Sequence, residues 1–219
     1  MRFAVLLFST LVFGQVQFGL DFRGVLPQGD LEENIDDDGF GLAGRLMFDV
    51  PVAPLSAGFE LGYIHFDDTR VNGRGDIDEI RTDNAAVTLD VILRLQPHRG
   101  PVRPYLEGFM GVHYFVTSTT FFYDDFDDDF VDVERDFDDA AYAIGVGAGA
   151  EFVISSWRDD DGDRSAFSLH FGARYTRGSD AEYVIPDSVE LDRVGNISFE
   201  VAESETDFID VRFGFAWKW

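Results

Sequence analysis

The chain contains no cysteine and only one lysine, Lys218. Without thiols there is no disulfide framework, no thiolate zinc site and no cysteine nucleophile. Basic residues are scarce as well: 17 Lys and Arg face 42 Asp and Glu, for a net charge of -25. Such a chain repels a phosphate backbone, which excludes nucleic acid as a partner, and attracts cations instead. So acidic a surface also suits a high-salt habitat. Long apolar runs are missing too. No stretch reaches the roughly 20 residues that a spanning helix needs, so a membrane crossing by this chain has to be made of strands. The 219 residues fit one domain.

The first residues read as an export signal: Arg2 supplies a positive start, Phe3 to Phe13 is an apolar run, and Val12 and Gly14 precede a cleavage point near Gln15. The expected division is a signal peptide over 1–14 and one barrel domain over 15–219.

Apolar and polar or small residues alternate in segments of about ten along the rest of the chain, the mark of strands with two unlike faces. Eight such segments are expected: Val16–Val25, Phe40–Val50, one around Ala57–Tyr63, one around Val87–Leu95, Tyr105–Val116, Tyr142–Phe152, Phe167–Thr176 and Phe208–Trp219. In the last, Ile209, Val211, Phe213, Phe215, Trp217 and Trp219 face one way, and Asp210, Arg212, Gly214, Ala216 and Lys218 the other. No segment has convincing helical periodicity.

A soluble sandwich or lipocalin-like barrel also alternates, so the decisive question is which face carries charge. The non-apolar face holds Asp21, Arg23, Arg45, Asp49, Glu60, Asp90, Arg94, Glu107, Glu151, Arg174, Asp210 and Arg212, mixed in sign and interleaved with glycine. Acids and arginines that pair across a closed interior, with an apolar face toward lipid, give this pattern. The expected fold is all-β, an eight-stranded antiparallel up-and-down transmembrane β-barrel.

The connections support it. Strands two and three, four and five, and six and seven are joined by short links around Pro51–Pro54, Pro97–Pro101 and Ser155–Arg164, and the other links are long. Short turns on one rim and long loops on the other characterise outer-membrane barrels, and an even strand number puts both termini on the short-turn, periplasmic rim. The long connections, taken as 26–39, 66–83, 117–139 and 178–205, hold 30 acids and 5 bases, which accounts for the whole excess of negative charge.

The closing residues Arg212 to Trp219, RFGFAWKW, resemble the C-terminal assembly signal of outer-membrane barrels, with Arg212, Gly214, Trp217 and Trp219 at its polar, glycine and aromatic places. Trp219 stands where that family usually ends in phenylalanine. The resemblance implies that the barrel-insertion machinery reads this strand. Over the whole mature chain the layout is similar to the small OmpA/OmpX and opacity-type barrels, which implies a monomer set in outer-membrane lipid of a diderm bacterium.

Several clusters invite chemistry. Asp36, Asp37 and Asp38, and Asp124, Asp125, Asp127, Asp128 and Asp129, could collect divalent cations, but no spacing matches an EF-hand. The stretch Asp159–Asp163 superficially resembles a calcium loop, yet Trp157 cannot ligate and the downstream glutamate is missing. No specific metal site and no cofactor is expected. Lipid A deacylases of this architecture use a lipid-facing His-x-Ser pair, whereas Ser168-Leu169-His170 is the reverse order and lies on the inner face. His113 is on another strand, and His65 and His98 fall at a strand end and in a turn, so no enzyme is expected. Tyr63, Tyr114, Tyr142, Tyr175, Trp217 and Trp219 read as interface anchors. The functional expectation is a structural envelope and surface-contact barrel with a plugged lumen. A narrow porin-like channel, or an OmpW-type channel for hydrophobic compounds, is the alternative.

Overall fold

A computed structural model describes residues 14–35, 38–51, 53–72, 77–123, 133–158, 164–185, 190–191, 197–198 and 201–219. The elements are β1 Val16–Pro27, α1 Asp30–Asn34, β2 Gly39–Val50, β3 Leu55–Asn72, β4 Ile77–Leu95, β5 Val102–Tyr123, β6 Val133–Arg158, β7 Arg164–Gly178, β8 Asp180–Val184, β9 Glu190–Leu191, β10 Ile197–Ser198, β11 Val201–Glu205 and β12 Phe208–Lys218. Residues 1–13, which include nearly all of the expected signal segment, lie outside the described residues.

Eight strands close on themselves in the order β1-β12-β7-β6-β5-β4-β3-β2, each antiparallel to its neighbours. The seam joins the first and last strands over Gln17↔Lys218 to Pro27↔Phe208. Beyond it, the amide of Val16 donates to the Trp219 carbonyl at 2.9 Å and the Trp219 amide donates back to Val16 at 2.9 Å. Closure leaves the barrel wall without an unpaired edge, the condition for placing backbone in hydrocarbon.

The polarity of this wall is inverted relative to a soluble barrel. On β1, Phe18, Leu20 and Phe22 are exposed, Phe22 at 51%, while Asp21 and Arg23 between them are buried. The same reversal runs round the ring, with Phe59, Leu89, Met110, Ile144 and Val211 outside and Glu60, Asp90, Glu107, Arg174 and Asp210 inside. A continuous apolar exterior of this kind is stable only against lipid. Tyr63 and Tyr114 flank Val87 at one level, Tyr175 lies opposite Ile209, and Trp217 and Trp219 are exposed at the other end. From Ile209 to Trp217 the strand advances about 27 Å. At a tilt of about 40° that is roughly 20 Å along the membrane normal, close to the apolar band of such barrels.

Two expectations change in the structure. The long connections 66–83 and 117–139 are largely strand: β3 and β4 stay paired out to Asn72↔Glu79, and β5 and β6 out to Phe121↔Val133. These segments carry polar residues at both parities, so the apolar alternation that marks a strand in sequence stops while the pairing continues. A register shift between His65 and Asp68 falls where β3 leaves the β2 pairing, a usual rim position for a bulge. The other change is α1, a single helical turn, too short to leave a period in the sequence. It follows Gly29, which takes φ 60 and so a conformation costly to other residues, and Asp30, Glu32 and Glu33 in its first turn suit the positive helix end.

At the long-connection end an apolar cluster lies inside the wall. Leu31 of α1 and the following Ile35 pack with Val25, Ile64, Phe66, Phe115 and Phe208 from the wall and with Ala181 and Tyr183 of β8. β8 and β11 form a hairpin, Asp180↔Glu205 to Val184↔Val201. The Tyr183 hydroxyl lies 2.6 Å from Ser204 Oγ and accepts from Asn34 Nδ2 at 3.0 Å, which ties this hairpin to α1.

Candidate functional site

All twelve charged residues expected on the inner face lie inside the barrel, and each is at most 5% exposed. Ten of them are joined through the contacts that follow, while Asp90 and Asp49 have partners of their own. Arg23 donates to Asp210 at 2.6 Å, and Asp210 also takes Arg212 Nε at 2.5 Å. Arg212 reaches Glu60 at 2.7 Å, and Glu60 accepts Arg174 Nη1 at 2.8 Å. Arg174 Nε continues to Glu107, which pairs with Arg94 at 2.6 Å, and Arg94 contacts Glu151 at 3.2 Å. Gln17 closes the chain by donating to Glu151 at 2.9 Å.

A second branch starts at Arg45, whose Nη1 donates to Asp21 Oδ2 at 2.6 Å. The other oxygen of Asp21 lies 2.8 Å from His170 Nδ1, and His170 Nε2 lies 2.6 Å from the Tyr105 hydroxyl. The Tyr105 ring carries the Arg94 guanidinium on its face at 4.1 Å, which joins the two branches. Nearer the apolar cluster, His113 Nε2 contacts Asp90 at 3.2 Å and its ring stacks on Phe208. At the short-turn end, Lys218 pairs with Asp49, which also accepts the Ser56 hydroxyl at 2.8 Å.

Room for these head groups comes from glycine on the neighbouring inner positions. A Cβ on Gly147 would stand 2.7 Å from Arg174 Cγ, and one on Gly172 would stand 2.1 Å from the Tyr105 hydroxyl. Taking ions out of water costs several kcal/mol each, so the interior is stable only while every charge keeps its partners.

Tyr105, Phe109, His113, His170, Gln17 and Lys218 are also buried inside, among other residues beyond the twelve. Each has the inward parity of its strand, so the signal was present. The mixed aromatics of β5 obscured it for Tyr105 and Phe109, because aromatic rings are equally at home on the lipid side.

The arrangement pairs the inner charges with one another. Ser168 and His170 are both buried on the inner face, but both nitrogens of His170 are engaged, by Asp21 and Tyr105. His65 lies in β3 against Phe40, and His98 sits in the β4–β5 turn. Asp38 is exposed, whereas Asp36, Asp37, the cluster from Asp124 to Asp129 and the stretch Asp159–Asp163 lie outside the described residues. Among the described residues, no three His, Asp or Glu side chains gather as metal ligands do. Of the expected assembly residues, Arg212 is in the ion network, Gly214 pairs with Asp21 across the seam, and Trp217 and Trp219 point outward.

A closed eight-stranded wall, apolar outside and ionised inside, defines the class: a transmembrane β-barrel of the outer-membrane type. Among solved structures the chain is similar to Neisserial surface protein A at 12% identity, over 94% of this chain and 97% of that one, with a TM-score of 0.43. It is similar also to a major outer membrane protein of Thermus thermophilus at 15% identity, over 93% and 99%, TM-score 0.46. Ail, the attachment invasion locus protein of Yersinia pestis, matches at 12% identity over 94% and 97%, TM-score 0.43. No family model and no curated protein matches the chain. The class therefore rests on the geometry of the barrel itself.

Proposed function

We propose that this chain is a non-enzymatic barrel of a bacterial outer membrane, with both termini in the periplasm, that serves envelope integrity and makes surface contacts through its acidic outer segments. The observation that supports the reading is that the arginine–carboxylate network and, beyond it, the apolar cluster both lie inside the wall, which leaves the lumen closed in this reading. An eight-stranded barrel is only wide enough for its side chains to fill, and here ion pairs below 3 Å fill it.

Continuous pairing round the ring also argues against a side exit between strands, because each of the eight strands is hydrogen-bonded along both edges. The surface role is supported by the β3–β4 and β5–β6 hairpins, which carry paired backbone beyond the β2 and β7 walls. Outer-membrane lipid and the insertion machinery are the partners this reading requires, and divalent cations would gather at the acidic tips as a diffuse layer.

The test is single-channel recording in planar bilayers. The reading expects a silent bilayer after insertion that heat-modifiable gel mobility verifies. Steady openings would overturn the plugged lumen in favour of a narrow channel.

A further inference from the structure

At the short-turn rim the barrel opens into a cavity of about 1440 Å³, whose lining includes His98, Arg99, Arg103, Trp157, Ser165 and Lys218. Its charge runs against the composition of the chain. Carboxylates outnumber basic residues 42 to 17, yet among the described residues no carboxylate pairs with Arg99 or Arg103. Lys218, by contrast, is neutralised by Asp49, the described acid of the cavity wall.

The guanidinium of Arg103 is positioned as well as unpaired. Its Nε donates to the Gly100 carbonyl at 3.3 Å, and its own carbonyl accepts Gln96 Nε2 at 3.4 Å. Gly100 holds φ 111, a backbone state in which a side chain would be strained, so the turn that presents the carbonyl depends on glycine. The residue is only 8% exposed; the carboxylate across the ladder from it, Glu151, is shared between Arg94 and Gln17, and an arginine buried without an ion pair is costly. His98 adds a second waiting group: its Nε2 is buried without a hydrogen-bond partner among the described residues and stands 3.9 Å from Asp49.

We infer that this vestibule is a binding site for a small anionic solute, entering from the short-turn side and bound through a phosphate or carboxylate group by Arg103 and Arg99, with His98 as a further contact. A guanidinium fork matches the paired oxygens of such groups. The volume exceeds the usual range for one drug-sized ligand, which leaves space for the rest of the solute. Beyond the cavity the ion network blocks the lumen, so the site is a cup and not the entrance of a conduit.

The experiment is equilibrium dialysis of the refolded full barrel, in lipid-free zwitterionic detergent, against labelled inorganic phosphate and, separately, citrate, at constant ionic strength set with chloride. Saturable binding of either is expected, weakened on the order of tenfold or more by Arg103→Gln, as for loss of a hydrogen bond to a charged group. Arg177→Gln, on an exposed pair at the opposite rim, should leave it unchanged. Heat-modifiable mobility of each variant verifies the fold. Should Arg103→Gln fail to fold, Arg99→Gln, at an exposed turn position, carries the same expectation. The inference is overturned if the folded variants bind like the parent, if chloride abolishes binding, or if phosphate is retained only when anionic lipid is added, since the last assigns the affinity to a headgroup on the outer wall.

Discussion

Arg212 places Nη1 2.7 Å from both carboxylate oxygens of Glu60, spanning the lumen from the last strand to the third. Glu60 simultaneously holds Arg174, so one carboxylate balances two guanidinium groups that would otherwise repel each other in a dry interior. Glu60→Gln is expected to destabilise the barrel by about 3–5 kcal/mol, because it leaves buried charge uncompensated. Urea unfolding in lipid vesicles measures this. Arg177→Gln, whose partner Glu205 lies 3.3 Å away on the surface, should change stability by about 0.5 kcal/mol or less.

Gly172 and Tyr105 form a steric pair. Gly172→Ala would push its methyl into the Tyr105 hydroxyl, which has to give up His170 to escape. The expected loss is about 1–3 kcal/mol. Tyr105→Phe alone should cost about 1 kcal/mol through the lost bond to His170. The double variant should cost less than the two losses added, because removing the hydroxyl makes room for the methyl. Strict additivity would sink the steric account.

Asp139, at the outer end of β6, fixes the β8–β11 hairpin by accepting the Glu182 amide at 2.9 Å, and it also accepts the Ala140 amide at 2.7 Å. These backbone donors hold its carboxyl below the ordinary value of 3.8. A depressed folded value means that the contribution is complete above the ordinary Asp range and is lost as pH falls through the folded value. The hairpin should therefore loosen only in strong acid. Hydrogen exchange at the Glu182 amide, corrected for intrinsic rate, should accelerate there, and Asp139→Ala should abolish the protection at every pH.

The β12 seam depends on close approach at Gly214, where a Cβ would stand 2.1 Å from the Leu20 carbonyl and 2.3 Å from an Asp21 oxygen. Gly214→Val is expected to lower the yield of the heat-modifiable folded form sharply. Trp219→Phe should leave that yield near normal and Trp219→Ser should reduce it, if the terminal aromatic is what the insertion machinery reads. Equal yields for both Trp219 variants would count against that role.

Much of this molecule is legible one strand at a time. The parity of Asp21 and Arg23 against Phe18, Leu20 and Phe22 assigns the two faces of β1 without reference to any other strand, and the same holds for β12. The outer ends of β3 to β6 were not legible, since polar residues on both faces leave no alternation. Nor was the apolar cluster: Leu31, Ile35 and Tyr183 lie in long connections where single apolar residues carry no periodic signal.

The amino-acid order by itself determined the strand number, the lipid-facing residues and the identity of the inner charges, because period-two alternation is a local property of an extended backbone. Tertiary structure alone decided which arginine meets which carboxylate, that Tyr105 and His170 join that network, that an apolar cluster gathers inside the long-connection end, and that Arg99 and Arg103 line one cavity in which no described carboxylate pairs with them. Those outcomes depend on distances across the lumen, and strand register and barrel closure set such distances between residues as far apart in the chain as Glu60 and Arg212.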